Sequence, residues 1–127
     1  MPMPIRDVTD GILMDMLRRS DRMVVAEFWS PGCSVCKEVA PHFEEAAHDL
    51  ADEVECVRVN TDANGHMASK LGVTGTPTFV ILCRSDTLGQ IVGFTNATAL
   101  RNTVRDVLRH KAHCRSKHIN YDMDGYS

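Results

Sequence analysis

The stretch from Met23 to Trp29 is an apolar run that only Glu27 interrupts, and it constrains the fold more than any other feature. A strand that is apolar on both faces is typical of the interior of a parallel sheet that helices cover on both sides. The tripeptide Ser30-Pro31-Gly32 ends the run, and apolar residues then recur with helical spacing from Cys33 to Leu50. A buried strand that leads directly into a helix predicts an α/β domain.

The rest of the chain continues this alternation of strands and helices. Helical periodicity and capping residues predict three further helices: 10–20, which Thr9 or Asp10 caps, 64–71, and a last helix that Asn96 caps. Strand patterns cover three further segments: 54–60, 78–83 and 88–94. The last two strands are close in sequence and predict a hairpin, whereas residues 1–8 are expected to be a loose entry segment because two prolines break them. We therefore expect a central mixed β-sheet flanked by α-helices, with the hairpin as its antiparallel edge.

Size and charge exclude several classes of protein. A chain of 127 residues is the length of one domain, and 43% hydrophobic residues suffice for an ordinary core. The net charge of −3 argues against nucleic-acid binding, and no apolar run approaches the roughly 18 residues of a membrane span. The first seven residues lack the apolar stretch of a signal peptide. We expect a cytoplasmic, monomeric protein that binds neither nucleic acid nor membranes.

Cysteine is the residue type that points to chemistry. The chain has five cysteines, an odd number that cannot all pair within one chain. In a reducing compartment, cysteines are more often catalytic, metal-binding or buried than structural disulfides. A zinc ribbon needs a second close pair, which Cys56, Cys83 and Cys114 do not provide. Cys56 and Cys83 fall within predicted strands, where we expect both to be buried, inert thiols.

The sequence Cys33-Ser34-Val35-Cys36 is the candidate redox centre. Two intervening residues place both sulfurs on one face of the first turn of a helix. At a helix N-terminus the free amides and the helix dipole favour a thiolate, which is the attacking species in disulfide exchange. We therefore expect Cys33 to be the nucleophile and the less exposed Cys36 to be the resolving thiol.

Glu27 is the second candidate catalytic residue, because it places a carboxyl group in a strand that should be buried. Burial without a partner disfavours the charged form and raises the pKa of a carboxyl group. A carboxyl group with a raised pKa is suited to move a proton to and from Cys36.

Several segments together resemble the thioredoxin family over roughly residues 7–110. They are the stretch from Glu27 to Lys37, Pro41 within the following helix, Val59-Asn60-Thr61-Asp62, the segment from Gly72 to Thr78, and Gly93. The resemblance implies a thioredoxin-like fold and a thiol–disulfide oxidoreductase that reduces protein disulfides. It also implies no bound cofactor, and re-reduction by a thioredoxin reductase or an equivalent donor.

The resemblance also implies roles for individual residues. Pro77 is expected to be cis and to face the thiols, and the backbone of Thr76 to pair with an extended substrate segment. Trp29 and Gly32 are expected to lie on the substrate surface, Trp29 also serving as a packing residue. Gly32 replaces the family's usual tryptophan, and Glu27 its usual aspartate. Arg58 stands where a lysine is common and is expected to favour the ionised form of Glu27.

Two other functions remain open at this stage. Ser34-Val35 replaces the family's usual Gly-Pro, and a dipeptide that destabilises the disulfide favours an oxidase or isomerase-like exchanger. A non-enzymatic adaptor is the other alternative, docking a partner through the hydrophobic face around Trp29 and Pro77 together with the basic C-terminal tail.

The chain changes character near its C-terminus. His110, His113, Cys114 and His118 are residue types that bind metals, but a basic helix end is more often solvated, so we predict no metal site. The expected organisation is a thioredoxin-like domain over 1–110 and a basic, partly disordered extension over 111–127.

Overall fold

The computed structural model of the chain describes residues 4–110. It contains five strands: β1 (Ile5–Asp7), β2 (Val24–Trp29), β3 (Glu55–Asn60), β4 (Thr78–Cys83) and β5 (Asp86–Val92). It contains four helices: α1 (Asp10–Arg19), α2 (Ser34–Leu50), α3 (His66–Lys70) and α4 (Ala97–His110). The predicted extension over 111–127 lies outside the described residues.

The strands form one mixed sheet in the order β1-β3-β2-β4-β5. β1 and β2 run parallel to β3, whereas β4 is antiparallel to both β2 and β5. This confirms the predicted α/β fold with a central mixed sheet flanked by helices. The antiparallel pairing is more extensive than expected, because it begins at the β2–β4 contact and not only within the hairpin.

The expectation of a loose entry segment was wrong for residues 5–7, which form β1. This strand is only three residues long, and its register places Ile5 beside Cys56 and Asp7 beside Arg58. Ile5 is buried, while Arg6 and Asp7 are exposed. So short an edge strand has too few apolar residues to show a pattern, and its pairing with β3 holds it in place.

Helices bury both faces of the sheet, which explains the apolar sequence of β2. Side chains from α2 and α4 cover one face, including Phe43 and Leu100, and those from α1 and α3 cover the other, including Leu13 and Met67. All residues from Met23 to Phe28 are buried as a result. Among the described residues, no helix is long and apolar enough to cross a membrane.

The turn between β2 and α2 positions the two cysteines. Ser30-Pro31-Gly32 reverses the chain, and Cys33 is the N-cap of α2. Pro41 lies inside α2, as predicted, and removes one helical hydrogen-bond donor from its interior. Cys33 therefore lies just beyond the carboxyl end of β2, at the surface of the domain.

Candidate active site

Cys33 and Cys36 form a disulfide at the N-terminus of α2, with their Cα atoms 5.3 Å apart. Cys33 is half-buried, whereas Cys36, one turn into the helix, is buried at 2% exposure. An incoming sulfur atom therefore reaches Cys33 more readily than Cys36. This difference in exposure follows from the N-cap position of Cys33.

The helix start surrounds the sulfur of Cys33 with favourable dipoles. The backbone amide of Cys36 donates to Cys33 Sγ at 3.1 Å. The unpaired amides of the first turn also place the positive end of the helix dipole at this atom. When the disulfide opens, the same groups stabilise a thiolate on Cys33.

The loop before β4 forms the opposite wall of the site. The Thr76–Pro77 peptide bond is cis, as the resemblance implies, and the carbonyl oxygen of Thr76 lies 3.4 Å from Cys33 Sγ. Two hydrogen bonds hold this loop: the Gly93 amide donates to the Pro77 carbonyl at 2.9 Å, and Thr78 Oγ1 donates to the Gly75 carbonyl at 2.6 Å. The backbone of Thr76 is therefore held directly beside the reactive sulfur.

Glu27 occupies a charged row that crosses three neighbouring strands. The sheet register pairs Glu27 with Arg58, and Arg58 with Asp7 on its other side. Arg58 Nε donates to Glu27 Oε1 at 3.2 Å, and Arg58 Nη1 lies 3.8 Å from Asp7 Oδ1. Glu27 Oε2 is buried and accepts no hydrogen bond from any of the described residues. Only one of the two carboxylate oxygens of Glu27 therefore has a hydrogen-bond partner among the described residues.

Burial raises the pKa of Glu27 to about 7. Loss of water is the dominant cause, while the charge and hydrogen bond of Arg58 act in the opposite direction and the charge of Asp7 raises the pKa further. The expectation that Arg58 favours the ionised form is correct in direction, but burial outweighs this effect. Near neutral pH the carboxyl group of Glu27 is therefore present in both protonation states.

Arg58 also contacts Trp29, a contact that the sequence alone did not reveal. The guanidinium carbon of Arg58 lies 4.2 Å from the centroid of the Trp29 ring, a cation–π arrangement. Trp29 is half-buried, and its indole Nε1 has no hydrogen-bond partner among the described residues. Trp29 and Arg58 line a cleft of about 280 Å³ together with Cys36 and Lys37. Arg58 therefore links the carboxyl group of Glu27 to the surface near the disulfide.

Replacing Arg58 with methionine tests how the pKa of Glu27 is set. Because the charge and the hydrogen bond of Arg58 both lower this pKa, we expect Arg58→Met to raise it above about 7. Carboxyl carbon NMR measures it directly during a pH titration. Arg6→Met removes an exposed arginine from β1 and should leave the pKa of Glu27 unchanged. An unchanged or lower pKa in Arg58→Met contradicts this account.

Two features of the site were beyond sequence reasoning. Asp7 was assigned to the loose segment, and only the pairing of β1 with β3 brings it to Arg58. Val92 and Phe94 are exposed at 68% and 54%, on either side of Gly93, whose amide bonds Pro77. Val92 and Phe94 carry no signal of exposure in the sequence, because their neighbours Ile91 and Gly93 are not polar either. They extend the apolar surface beside the Thr76–Pro77 loop.

Gly32 is exposed immediately before Cys33. A Cβ atom added there meets no atom within 4 Å. Within residues 4–110, no group of three or more His, Cys, Asp or Glu residues is placed to hold a metal ion. The groups that the site brings together are the two sulfur atoms of Cys33 and Cys36 and the buried carboxyl group of Glu27.

Comparisons of the sequence and of the fold with known proteins all match this chain to thioredoxins. The thioredoxin family model matches residues 5–106. Thioredoxin 1 of Synechococcus elongatus is 36% identical over 97 residues, covering 76% of this chain and 91% of the relative. Thioredoxin of Griffithsia pacifica is 32% identical over 107 residues, covering 84% and 98% of the two chains. The crystal structure of thioredoxin from Trypanosoma brucei brucei superposes with a TM-score of 0.74 at 28% identity, over 85% of this chain and 95% of that one.

Proposed function

Because this chain belongs to the thioredoxin family and is a protein-disulfide reductase, we propose that Cys33 is its attacking thiol, Cys36 its resolving thiol and Glu27 its proton carrier. The observation that carries this assignment is the difference in exposure between the two sulfurs, together with the 3.4 Å separation of Cys33 Sγ from the Thr76 carbonyl. The attacking sulfur is the one that a docked substrate can reach.

The first step transfers the substrate disulfide to Cys33. The Cys33 thiolate attacks one sulfur of the substrate disulfide, so that a Cys33–substrate S–S bond forms while the substrate S–S bond breaks. The departing substrate sulfur leaves as a thiolate and takes up a proton from solvent. The Cys36 amide and the start of α2 favour this step because they stabilise the attacking thiolate.

The second step releases the reduced substrate. Cys36 loses its proton to the ionised form of Glu27 and attacks Cys33 Sγ, so that the Cys33–Cys36 bond forms while the Cys33–substrate bond breaks. The second substrate sulfur leaves as a thiolate and takes up a proton from solvent, and Glu27 later returns its proton to solvent. Both Cys36 and Glu27 are buried, and residues that line the cleft at Cys36 also border the cavity at Glu27, namely Ala40 and Arg58. A pKa of about 7 lets Glu27 accept and return a proton near neutral pH.

The substrate segment is proposed to dock along the loop before β4. An extended segment adds to the exposed backbone of Thr76 as a strand adds to a sheet edge, with the cis Pro77 beside the disulfide. Trp29 and Gly32 border this surface on the side of α2. Val92 and Phe94 provide exposed apolar area on the other side for a disulfide-containing protein.

The partners and setting of the cycle follow from its chemistry. The oxidised pair needs an electron donor, which we propose to be a thioredoxin reductase or an equivalent dithiol, with no cofactor bound by this chain. We propose a reducing cytoplasm as the setting, because a dithiol donor there can return the Cys33–Cys36 disulfide to the dithiol after each cycle. Among residues 4–110, the large exposed apolar side chains are Ile12, Val92 and Phe94, too few for an extensive subunit interface, which supports a monomer.

Reduction of a protein disulfide tests this function directly. The chain should reduce the disulfides of insulin with dithiothreitol as the donor, and a flavin-containing thioredoxin reductase should replace dithiothreitol when NADPH is present. The assay measures the oxidised donor formed per protein per minute, which is oxidised dithiothreitol in the first case and NADP⁺ in the second, above the rate without the chain. Failure with both donors contradicts the proposed cycle.

Gly32→Trp tests whether position 32 lies on the substrate surface. The glycine is exposed and its added Cβ meets nothing, so we expect a stability change within about 0.5 kcal/mol. The new ring covers apolar area beside Cys33, and we expect the KM for a protein disulfide to change by about threefold or more while small-molecule disulfides are reduced as before. Gly65→Trp adds an exposed ring at the N-cap of α3 and serves as the matched control. Equal effects of both variants on KM contradict the assignment.

A further inference from the structure

A second cavity lies between α1, α3 and the end of β4, away from the disulfide. Its volume is about 370 Å³. Leu82 at this cavity pairs with Val24 at the start of β2, whereas Cys33 follows the end of that strand. The length of β2 therefore separates the two places by about 17 Å. None of the described residues that line this cavity borders the cleft at Cys36.

The lining combines an apolar surface with positive charge. Five apolar side chains form most of it: Met14, Leu17, Met67, Leu71 and Leu82. Its charged members are Arg18, Lys70 and Arg84, and no acidic residue is among the described lining residues. The only described acidic contact of these three is weak, since Arg18 Nη2 lies 3.8 Å from Asp15 Oδ1 with both side chains well exposed. Such a cavity attracts a ligand with an apolar body and one negative charge.

Arg84 carries two unusual features. It has φ of 54°, in the two-residue turn between β4 and β5, where glycine or asparagine is favoured. Its Nε is buried and has no hydrogen-bond partner among the described residues. A buried guanidinium N–H without an acceptor is unfavourable, and a carboxylate is the acceptor that best matches the planar donors of arginine.

We propose that this cavity binds a free monocarboxylate with an alkyl chain, such as a medium-chain fatty acid. The carboxylate accepts from Arg84, and the alkyl chain lies against the apolar residues of α1 and α3. The concave shape and the volume are those of a small-molecule pocket and not of a flat membrane-binding face. The site is independent of the disulfide cycle.

Decanoate, kept below its micelle concentration, is the probe that tests this proposal. Amide NMR should show shifts confined to the ends of α1 and α3 and to the turn at Arg84 and Ser85, and calorimetry should give the affinity. Decanol has the same chain without the charge and should bind about tenfold more weakly or worse. Octanoate should bind up to about fifteenfold more weakly than decanoate, because it buries two fewer methylenes.

Variants distinguish binding of decanoate at Arg84 from unspecific binding to the protein surface. Arg84→Gln should weaken decanoate binding about tenfold or more and leave insulin reduction unchanged. Arg6→Gln removes an equal charge from the exposed face of β1 and should change the affinity less than about twofold. The comparisons among ligands use the unaltered protein, so they decide the question even where Arg84→Gln does not fold. Equal binding of decanol and decanoate, equal binding of octanoate and decanoate, shifts spread over the surface, or preference for anionic vesicles overturns the proposal.

Discussion

Replacing the two active-site cysteines separately with serine is expected to give two different losses of function. Both Cys33→Ser and Cys36→Ser should reduce steady-state disulfide reduction on the order of a thousandfold or more, because each removes one sulfur of a two-sulfur cycle. Cys36→Ser retains the exposed attacking sulfur, so without added dithiol it should accumulate a covalent complex with a protein disulfide. Cys33→Ser should form no such complex, because the remaining sulfur at Cys36 is buried at 2% exposure.

Non-reducing electrophoresis and mass spectrometry distinguish these outcomes. Dithiothreitol should reduce the mixed disulfide of the Cys36→Ser complex and release the variant together with the reduced substrate. Cys56→Ala, which removes a buried free cysteine from β3, is the matched control and should retain turnover. Trapping by Cys33→Ser but not by Cys36→Ser reverses the assignment of the two roles. Partner binding that survives in both variants supports the adaptor function instead.

Glu27→Gln is expected to stabilise the oxidised protein strongly at alkaline pH and weakly at acidic pH. The pKa of Glu27 is about 7 in the folded protein against an ordinary value of 4.5, so the folded state binds the proton more tightly than the unfolded chain. The stabilisation that comes from this proton is fully present below about pH 4.5 and is lost as the pH rises through about 7. At 1.36 kcal/mol per pKa unit, the shift corresponds to about 3 kcal/mol.

Urea unfolding at pH 4 and pH 8 measures this effect in the free energy of unfolding. Glutamine is neutral at both values and can still accept from Arg58, so the gain over the unaltered protein should be about 3 kcal/mol larger at pH 8 than at pH 4. Glu44→Gln alters an exposed carboxyl group that lines the same small cavity as Glu27. This variant should show no comparable difference between the two pH values. A gain that is the same at both values contradicts the raised pKa of Glu27.

The same variant also tests the proton-carrier role. Loss of the carboxyl group should slow the second step, so that the mixed disulfide with Cys33 persists longer before Cys36 resolves it. The rate should also lose its dependence on a group that titrates near pH 7. Stopped-flow measurement of substrate release across the pH range follows this step. An unchanged rate and pH profile assign Glu27 to structure alone.

The sequence predicts the fold class well because its central strands carry strong signals. Three of these signals depend only on residues that are close together in the sequence. They are the apolar run of β2, the break at Ser30-Pro31-Gly32 and the helical periodicity of α2. The three residues of β1 show no such pattern, because only pairing with β3 makes them a strand. The position of β4 beside β2 likewise depends on contacts between segments far apart in the chain.

In the site, too, some features are visible in the sequence and others depend on contacts between distant segments. The spacing of Cys33 and Cys36 and the isolated charge of Glu27 are visible in the sequence, and their roles stay predictions. The balance that sets the pKa of Glu27 is not visible, because it depends on how completely the fold excludes water and on Arg58 from the neighbouring strand. The stacking of Arg58 on Trp29 likewise requires the three-dimensional arrangement.

The reduction potential of the Cys33–Cys36 couple tests most directly whether this dithiol works as a reductant. Thiol labelling after equilibration in a series of dithiol–disulfide buffers gives the value. We expect a potential near or below about −240 mV, which suits reduction of protein disulfides in a reducing compartment. A potential near about −180 mV or higher contradicts it and indicates an oxidase or isomerase-like exchanger.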